Sequence, residues 1–413
     1  MRPRALIRTA IPALAAIAAL ALAGCGGTKL LHETSTAHAT VTIGIPAASP
    51  QAAQKLGFPA LATKNTTRVD GADPVADAAG VALAVFPSAA PGTHPNAVAL
   101  APTDDWQASI AASVLMAPPI RAPILLSGPG SLPAATSQAL TQLAPGGSGS
   151  IGGAQLVRIG DVPTVSGLHT AAVTGSDPYA LAAGVDRFVT AVAGRPSSDV
   201  VIASGTNPAY AMPAAGWAAE SGDPVLFVNP AGIPAPTRQA LAAHQHAHIY
   251  VLGPSSVIPD SVLSQLKKYG TVKRVGAPDA AANSVAFATY RDPGCAYGQP
   301  CAHVPGSFGW AMRSPGHGYV LLNASRPLDA AASAALSSSG DYGPQLLVDN
   351  PSVLPRPVLN FFLDYATPGY TQEGPTAAVY NHGWVIGDQN AVSVGVQAEV
   401  DSLLEAVPQT SAK

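Results

Sequence analysis

One phrase occurs three times along this chain and constrains its fold more than any other feature. A short apolar run is followed by a few small or polar residues and then by Leu-Pro or Ile-Pro, which opens a segment with helical spacing. The apolar runs are residues 123–127, 224–228 and 345–348. The Leu/Ile-Pro pairs after them lie 101 and then 121 residues apart. A period of about 100 residues suits a small domain rather than a solenoid repeat, so the sequence predicts one module present three times.

Within each module, strands and helices alternate. In the first module, residues 96–101, 124–127 and 155–159 have the composition of buried strands, and helical spacing begins near Asp105 and again at Pro133. The corresponding strands are predicted at 199–204, 224–228 and 248–252 in the second module and at 318–323, 345–348 and 384–386 in the third. Continuous apolar strands that alternate with helices are typical of a parallel sheet covered on both faces. The predicted fold class is therefore α/β, with three tandem βαβ modules and mostly parallel sheets.

The N-terminus has the pattern of a secretory signal peptide. Arg2, Arg4 and Arg8 precede an apolar stretch at residues 10–23, and small residues stand just before a lone Cys25. This segment resembles a bacterial lipobox, in which cleavage exposes a cysteine that carries the lipid. We therefore predict a lipoprotein signal peptide at 1–24 and lipid (palmitate) attachment at Cys25; an ordinary signal peptide with an incidental cysteine is the alternative. Residues 25–57 are rich in Gly, Thr, Ser, Ala and Pro and are predicted to form a flexible tether.

Charge and hydropathy bound the function. Without residues 1–24 the chain has 18 basic and 24 acidic residues, a net charge of −6, which disfavours nucleic-acid binding. The densest basic stretch, Lys267, Lys268, Lys273 and Arg274, is interpreted as a solvated face that an anionic polymer could also use. No second apolar stretch reaches the length of a spanning helix. The mature protein is thus predicted to be extracytoplasmic and anchored to the cell membrane by lipid.

Two further cysteines lie close together in the third module. Cys295 and Cys301 are predicted to form a disulfide, because the compartment is oxidising. The alternative, a metal pair with His303, lacks the further ligands that a zinc site needs.

Motifs for cofactors, metals and catalysis are weak. Residues 147–152 match G-x-G-x-x-G, but they precede a predicted strand, whereas a dinucleotide fingerprint follows one. His244, His246 and His248 alternate, yet no carboxylate or cysteine is near in sequence, so packed or solvated histidines are favoured over a metal site. We predict no cofactor, no metal and no catalytic residue.

The ordered scheme of strand, helix, strand, Leu/Ile-Pro and a strand that ends in Gly resembles the cell wall-binding repeat 2 family. Residues 67–74 (Thr-Arg-Val-Asp-Gly-Ala-Asp-Pro) add to the resemblance, and residues 175–178 and 274–278 echo them. The resemblance covers roughly residues 58–407. It implies three tandem Rossmann-like modules, packed as a pseudo-threefold trimer, that attach non-covalently to an anionic cell-wall polysaccharide.

On this basis the chain divides into three cell wall-binding modules. The first is predicted at 58–170, the second at 171–275 and the third at 276–407, and the third carries the disulfide loop as an insert.

The chain departs from the family at one position. The family usually has Asp-Ala-Leu in the first helix of each copy, and here only the third module keeps the acid, at Asp329. Ala108 and Tyr210 occupy the corresponding positions of the other two modules. Arg326 and Asp329, beside the strand 318–323, are the predicted ligand-contact residues; a structural cap and ion pair is the alternative.

Together these features predict a non-catalytic lipoprotein of the bacterial cell surface that binds a cell-wall polymer of the anionic polysaccharide class. Its partners would be that polymer and the membrane, through the lipid on Cys25. The alternatives are a solute-binding lipoprotein, a scaffold for envelope proteins and an envelope hydrolase. The hydrolase is kept as an alternative because the residues of a catalytic site can be distant in sequence.

Overall fold

The structure is a computed structural model, and it describes residues 61–301, 307–370, 374, 376 and 378–408. The predicted signal peptide (1–24), the lipid site Cys25 and the tether (25–57) lie outside the described residues. Strands and helices alternate along the described chain, and nearly all strand pairs are parallel, which confirms the predicted α/β class.

The strands match most of the predicted apolar runs. In chain order they are β1 Leu61–Ala62, β2 Thr66–Val69, β3 Val98–Pro102, β4 Ile124–Ser127, β5 Leu156–Ile159, β6 Thr170–Val173, β7 Asp199–Ser204, β8 Val225–Val228, β9 Ala247–Leu252, β10 Gly270–Val275, β11 Gly318–Asn323, β12 Gln345–Val348, β13 Gly369–Tyr370, β14 His382–Ile386 and β15 Val407–Pro408.

The helices connect these strands. In chain order they are α1 Pro74–Val85, α2 Trp106–Ala112, α3 Ala134–Leu143, α4 Pro178–Ala193, α5 Pro208–Ala211, α6 Pro213–Ser221, α7 Ala235–Ala243, α8 Asp260–Leu266, α9 Ala280–Thr289, α10 Pro327–Ser337, α11 Arg356–Phe361 and α12 Val394–Leu403. A 3₁₀ turn, Ser113–Met116, extends α2, and a π turn, Phe362–Ala366, extends α11.

The repeated acidic residues at the predicted module starts are helix caps. Asp73, Asp177 and Asp279 precede α1, α4 and α9, and each accepts a hydrogen bond from the backbone N–H three residues later, at 2.9, 2.8 and 2.7 Å. A short acid in this position satisfies one of the free N–H groups of the first turn. The sequence echo therefore has a local structural cause.

Three sheets share one strand order. The first is β4-β3-β5-β6 and the second is β8-β7-β9-β10, all parallel. The third is β12-β11-β14-β2, also parallel, with β1 antiparallel at its edge. Each sheet thus holds four equivalent strands, and helices connect the first three of them along the chain.

The third sheet is completed by β2, which lies near the N-terminal end of the described chain. Strand β2 pairs with β14 from Thr66 opposite Gly383 to Val69 opposite Ile386. In the other two sheets the fourth strand follows directly from the third along the chain. The predicted module boundaries stay predictions, but β2 and β6 pair with strands of a neighbouring predicted module. For β2 this pairing closes the ring of modules, because the sheet near the C-terminus takes its fourth strand from the N-terminal part of the described chain.

In two of the sheets, an arginine on the fourth strand holds the loop that follows the third strand. Arg68 on β2 is fully buried and donates to the carbonyls of Gly387 and Val392 at 2.6 and 2.7 Å. Arg274, its equivalent on β10, donates to the carbonyls of Gly253 and Ile258, both at 2.8 Å. The Arg-Val pair in the family-like motif therefore serves the fold, since a guanidinium can satisfy several buried carbonyls at once.

The crossover helices α2, α6 and α10 meet in the interior and contact one another pairwise, as the predicted pseudo-threefold packing requires. Alanine lines this interior, and α10 alone buries Ala330, Ala331, Ala334 and Ala335. A Cβ added at Gly216 of α6 would lie 2.6 Å from the Ser337 Oγ. Small residues are therefore required where the helices approach most closely.

The third module carries its insert between α9 and β11. The predicted disulfide joins Cys295 and Cys301, with Cα atoms 5.8 Å apart. Phe308 and Trp310 return from this insert into the interior, where both are fully buried against Trp217. Among the described residues, no helix is long and apolar enough to cross a membrane.

Candidate functional site

The predicted ligand residues Arg326 and Asp329 lie together at the carboxyl end of the third sheet, in an ion-pair cluster with Asp77. The Arg326 Nη2 is 2.7 Å from Asp77 Oδ2, and its Nε is 2.7 Å from Asp329 Oδ2, the latter without hydrogen-bond alignment. Both carboxylates are fully buried, while the Arg326 side chain is 18% exposed. Of the three residues, only Arg326 can touch a polymer. The arrangement contains the ion pair of the alternative, but no side chain caps α10, and ligand contact at Arg326 stays a prediction.

Two carboxyls here share one guanidinium. Burial raises the pKa of Asp77, and the charge of Asp329 raises it further. Burial likewise raises the pKa of Asp329, against the opposing effect of Arg326. The Gly71 N–H donates to Asp77 Oδ1 at 2.9 Å, which ties helix α1 to the end of β2. The cluster thus connects the N-terminal strand and helix to α10 at the point where the ring closes.

The same positions in the other two sheets carry no such cluster. Ala108 and Tyr210 stand three residues after the helix caps Asp105 and Asn207, as Asp329 stands three after Arg326. The structure thus places Ala108 and Tyr210 at the positions equivalent to Asp329, where neither provides a carboxylate. The sequence does not indicate the pairing of Asp77 with Arg326, because the two residues are 249 positions apart.

Other residues occupy the position of Asp77 in the first and second sheets. Leu181 of α4 and Asn283 of α9 follow their helix caps at the same distance as Asp77 follows Asp73. Asn283 Oδ1 accepts from the Ala277 N–H at 3.3 Å, six residues earlier, as Asp77 accepts from Gly71. Leu181, beside the first sheet, has no side-chain acceptor, so the equivalent hydrogen bond is missing there.

An acidic crevice of about 590 Å³ opens at the carboxyl end of the first sheet. Four carboxylates and one guanidinium are among its lining groups, namely Asp104, Asp105, Asp161, Asp177 and Arg158. Burial raises the pKa of Asp105, whose Oδ1 caps α2 by accepting from the Ala108 N–H at 2.8 Å. In open α/β sheets, ligands bind at this edge. The excess of carboxylates makes the crevice suited to hydroxyl or cationic groups rather than to anions.

The predicted histidine cluster is dispersed in the structure. His244 is buried, with Nδ1 2.9 Å from the Ser197 carbonyl and Nε2 3.0 Å from Asp186. His248 instead contacts Asp199 at 3.2 Å, and His246 is exposed. No grouping suited to a metal ion occurs within the part of the chain that the structure describes. The packed-histidine interpretation applies to His244, whose partner Asp186 lies 58 residues away and gave no sequence signal.

His244 is held as an imidazolium. Its Nδ1 faces a carbonyl and its Nε2 faces a carboxylate, so both nitrogens must donate. Although burial lowers it, the hydrogen bond and charge of Asp186 raise the pKa of His244 above its ordinary value. Asp186 borders a cavity of about 490 Å³ at the base of the second sheet, which Asp199 and Asp223 also help to line. Burial, aided by the charge of Asp199, raises the pKa of Asp223 to about 6.

Two of the four residues of the predicted basic stretch form ion pairs within the protein. Lys273 pairs with Asp292 at 2.6 Å, and Arg274 pairs with Asp260 at 2.7 Å. Lys267 and Lys268 are exposed, and neither has an ion pair among the residues described. The stretch therefore offers two free cations to an anionic polymer, not four.

The glycine-rich match at 147–152 forms a bridge and a turn. Ser148 pairs with Ala154, and Gly149–Ile151 is a 3₁₀ turn that leads into β5. No helix begins there, so the segment does not present the row of N–H groups that holds a dinucleotide phosphate.

Residues 173–263 match the family model of cell wall binding domain 2 (CWB2). The match starts at the last residue of β6 and ends within α8, so it contains β7, β8 and β9 of the second sheet. The resemblance predicted from the sequence is confirmed for this segment. It supports a surface protein that binds the cell wall.

Two solved structures are similar over most of the chain. Cwp8 from Clostridium difficile has a TM-score of 0.60 and 14% identity, covering 83% of this chain and 52% of that one. Cwp6 from Clostridium difficile has a TM-score of 0.61 and 15% identity, covering 84% and 49%. The chain spans about half the length of these proteins, and at such identity the likeness shows the fold alone. No curated protein matches the sequence.

Proposed function

We propose that the chain is a non-catalytic lipoprotein of the cell surface that binds a cell-wall polymer of the anionic polysaccharide class through three modules. The observation that carries the proposal is the CWB2 match at residues 173–263, which falls on one of three sheets with the same strand order. Since the other two sheets repeat the architecture of the matched one, binding through a ring of modules accounts for the whole described fold.

The chemistry of the buried groups supports binding over turnover. Both nitrogens of His244 are occupied by Ser197 and Asp186, so this imidazolium cannot accept a proton from a substrate. Asp77 and Asp329 are fully buried and held by Arg326, which leaves them unable to reach a scissile bond.

The anchor in this proposal is the lipid on Cys25. Residues 25–57 would then separate the membrane from the modules by up to ~110 Å when fully extended. Stable attachment requires more than one acyl chain, at about 0.8 kcal/mol per buried CH₂. The lipid would hold one end of the protein at the membrane while the modules engage the wall outside it.

Retention on purified native wall glycan tests the proposal. The full chain, kept in mild detergent, is mixed at low salt with immobilised glycan that still carries its anionic polymers, and in parallel with glycan from which they were extracted. We expect retention on the first and loss on the second, and screening by salt should weaken retention. No retention on native glycan at low salt would remove the polymer proposal.

A second candidate, solute binding, is favoured by the crevice of about 590 Å³ at the first sheet. Its volume suits a small polar molecule. Native mass spectrometry of the purified protein would reveal a tightly bound solute as a mass increment that disappears on unfolding. A clean unliganded mass after gentle purification would count against this candidate.

A further inference from the structure

The insert of the third module is fixed at its base. Asp292 accepts hydrogen bonds from the Tyr250 and Tyr290 hydroxyls and from Lys273 Nζ. The Phe308 ring stacks on Tyr250 with centroids 3.7 Å apart and planes 9° from parallel. These contacts bind the insert to the second sheet, although it belongs in sequence to the third module.

The tip of the insert is also fixed. The disulfide between Cys295 and Cys301 closes it, and Arg291 donates to the Cys295 carbonyl at 2.5 Å. The Gly298 N–H donates to the Ala311 carbonyl at 2.9 Å. A loop held this firmly at its base and tip can present side chains in a defined geometry at low entropic cost on binding.

The tip presents two arginines around one exposed tyrosine. The Cζ of Arg291 is 3.9 Å from the ring centroid of Tyr297, and the Cζ of Arg313 is 5.2 Å from it. Arg313 also lies 5.5 Å from the ring centroid of Tyr365. Tyr297 is 50% exposed. We name Arg291, Tyr297, Arg313 and Tyr365 the arginine–tyrosine patch.

The electrostatics of the patch favour an anion. The two guanidinium carbons lie on either side of one tyrosine ring and are at most about 9 Å apart, so physiological salt already screens part of their mutual repulsion. The hydrogen bond from Arg291 and the charges of both arginines hold the pKa of Tyr297 below its ordinary value. Positive charge therefore accumulates at this tip, in a chain whose net charge is −3. An anion between the two guanidiniums would pair with both and gain charge-assisted hydrogen bonds.

We propose that the arginine–tyrosine patch binds the acidic groups, phosphate or carboxylate, of the wall polysaccharide. Each guanidinium presents a planar fork of donors that fits such a group bidentately, which an ammonium does not. The exposed hydroxyl of Tyr297 would exchange hydrogen bonds with neighbouring sugar hydroxyls. This inference rests on the proposed function and assigns its anionic contacts to the insert, which has no counterpart in the other two modules.

Substitution of Arg313 tests the patch, because its contacts there are with rings rather than with backbone. The full chain in mild detergent is titrated with purified soluble acidic wall glycan, and Arg313→Gln is compared with Arg187→Gln, an exposed arginine on α4. Loss of a charge-assisted contact should weaken binding by Arg313→Gln about tenfold or more. Arg187→Gln should stay within about twofold of the unchanged chain, since screening weakens distant charges.

Two further arms complete the test. Arg313→Lys keeps the charge but loses the fork, so it should bind between the unchanged chain and Arg313→Gln; this also covers the case in which the glutamine variant folds poorly. Anionic phospholipid vesicles replace the glycan in a parallel titration, and Arg313→Gln should bind them like Arg187→Gln.

The outcomes separate the two proposals. If the unchanged chain binds the glycan and both glutamine variants bind it equally, the patch assignment is overturned and the proposed function stands. If Arg313→Gln loses binding to vesicles but not to glycan, the patch is a membrane contact and the assignment is equally wrong. If the unchanged chain does not bind the glycan, both proposals fall.

Discussion

Removal of the Arg326 guanidinium is the sharpest perturbation that the structure offers. Asp77 and Asp329 are fully buried, and each has an oxygen 2.7 Å from this single cation. Arg326→Met would leave these two buried carboxyls without their cationic partner. Breaking a buried ion pair by removing one partner costs about 3–5 kcal/mol, so we expect the free energy of unfolding to fall by about that amount near pH 8.

The loss should depend on pH in a defined direction. Both carboxyls have a raised pKa in the folded state, chiefly through burial, so the folded protein binds protons more tightly than the unfolded chain. The stability of the unchanged protein should therefore decline as pH rises from about 4 through these raised values. Without Arg326 both pKa values rise further. At pH near 5 the carboxyls are then protonated, and the cost of Arg326→Met should shrink to about 1 kcal/mol.

Urea unfolding at the two pH values measures this, with hydrogen exchange of β2 as a local probe. Asp279→Ala removes an exposed helix cap and should cost about 1 kcal/mol at both pH values. Arg326→Met combined with Asp77→Leu and Asp329→Ala introduces the residues that the first sheet has at these positions, Leu181 and Ala108, and it should be more stable than Arg326→Met alone at the higher pH. Equal losses at both pH values, or a triple variant no better than the single one, would refute the reasoning.

Two further predictions concern the second module. Asp186→Asn should lower the pKa of His244, which an NMR titration of the histidine proton resonances would measure. The stability that this pair contributes should be present below about pH 6.5 and lost as pH rises through the raised pKa of His244. An unchanged pKa in the variant would contradict the imidazolium assignment. Gly216→Ala gains about 1 kcal/mol of helix propensity but places a Cβ 2.6 Å from Ser337 Oγ, so thermal unfolding should show a net loss of about 1–2 kcal/mol; adding Ser337→Ala should recover it, and a stabilised single variant would show that the helices can separate freely.

The local signals in the sequence predicted the strands that are buried on both faces. Residues 124–127, 199–204, 318–323 and 345–348 were predicted with the bounds that the structure shows. Such strands are continuous apolar runs, because their side chains on both faces pack against helices. The disulfide was predictable for a similar reason, since its two cysteines are close in sequence.

The fourth strand of each sheet was not predicted as a strand. β2, β6 and β10 mix polar and apolar residues, and most residues of β6 and β10 are only half-buried or exposed. They therefore lack the apolar run that marks the inner strands. The pairing of β2 with β14 was equally hidden, because register across about 300 residues is set by ring closure rather than by any local pattern.

The buried ion pairs were out of reach for a related reason. Arg326 and Asp329 were recognised as neighbours, but Asp77 and Asp186 meet their partners only through tertiary packing. A carboxylate that caps a helix and one that is buried opposite an arginine look alike in a sequence. The ligand contact at Arg326 stays a prediction, while the structure shows this residue in an ion-pair cluster with Asp77 and Asp329. The exposed arginines of the insert give no signal in the sequence.

Co-sedimentation with bacterial walls tests the central claim most directly. The full chain is spun with intact walls and with walls whose anionic polymers have been extracted, over a range of salt concentrations. The account predicts that the protein pellets with intact walls at low salt, remains in solution with extracted walls, and is released as salt rises. Protein that stays in solution with intact walls at low salt would contradict it.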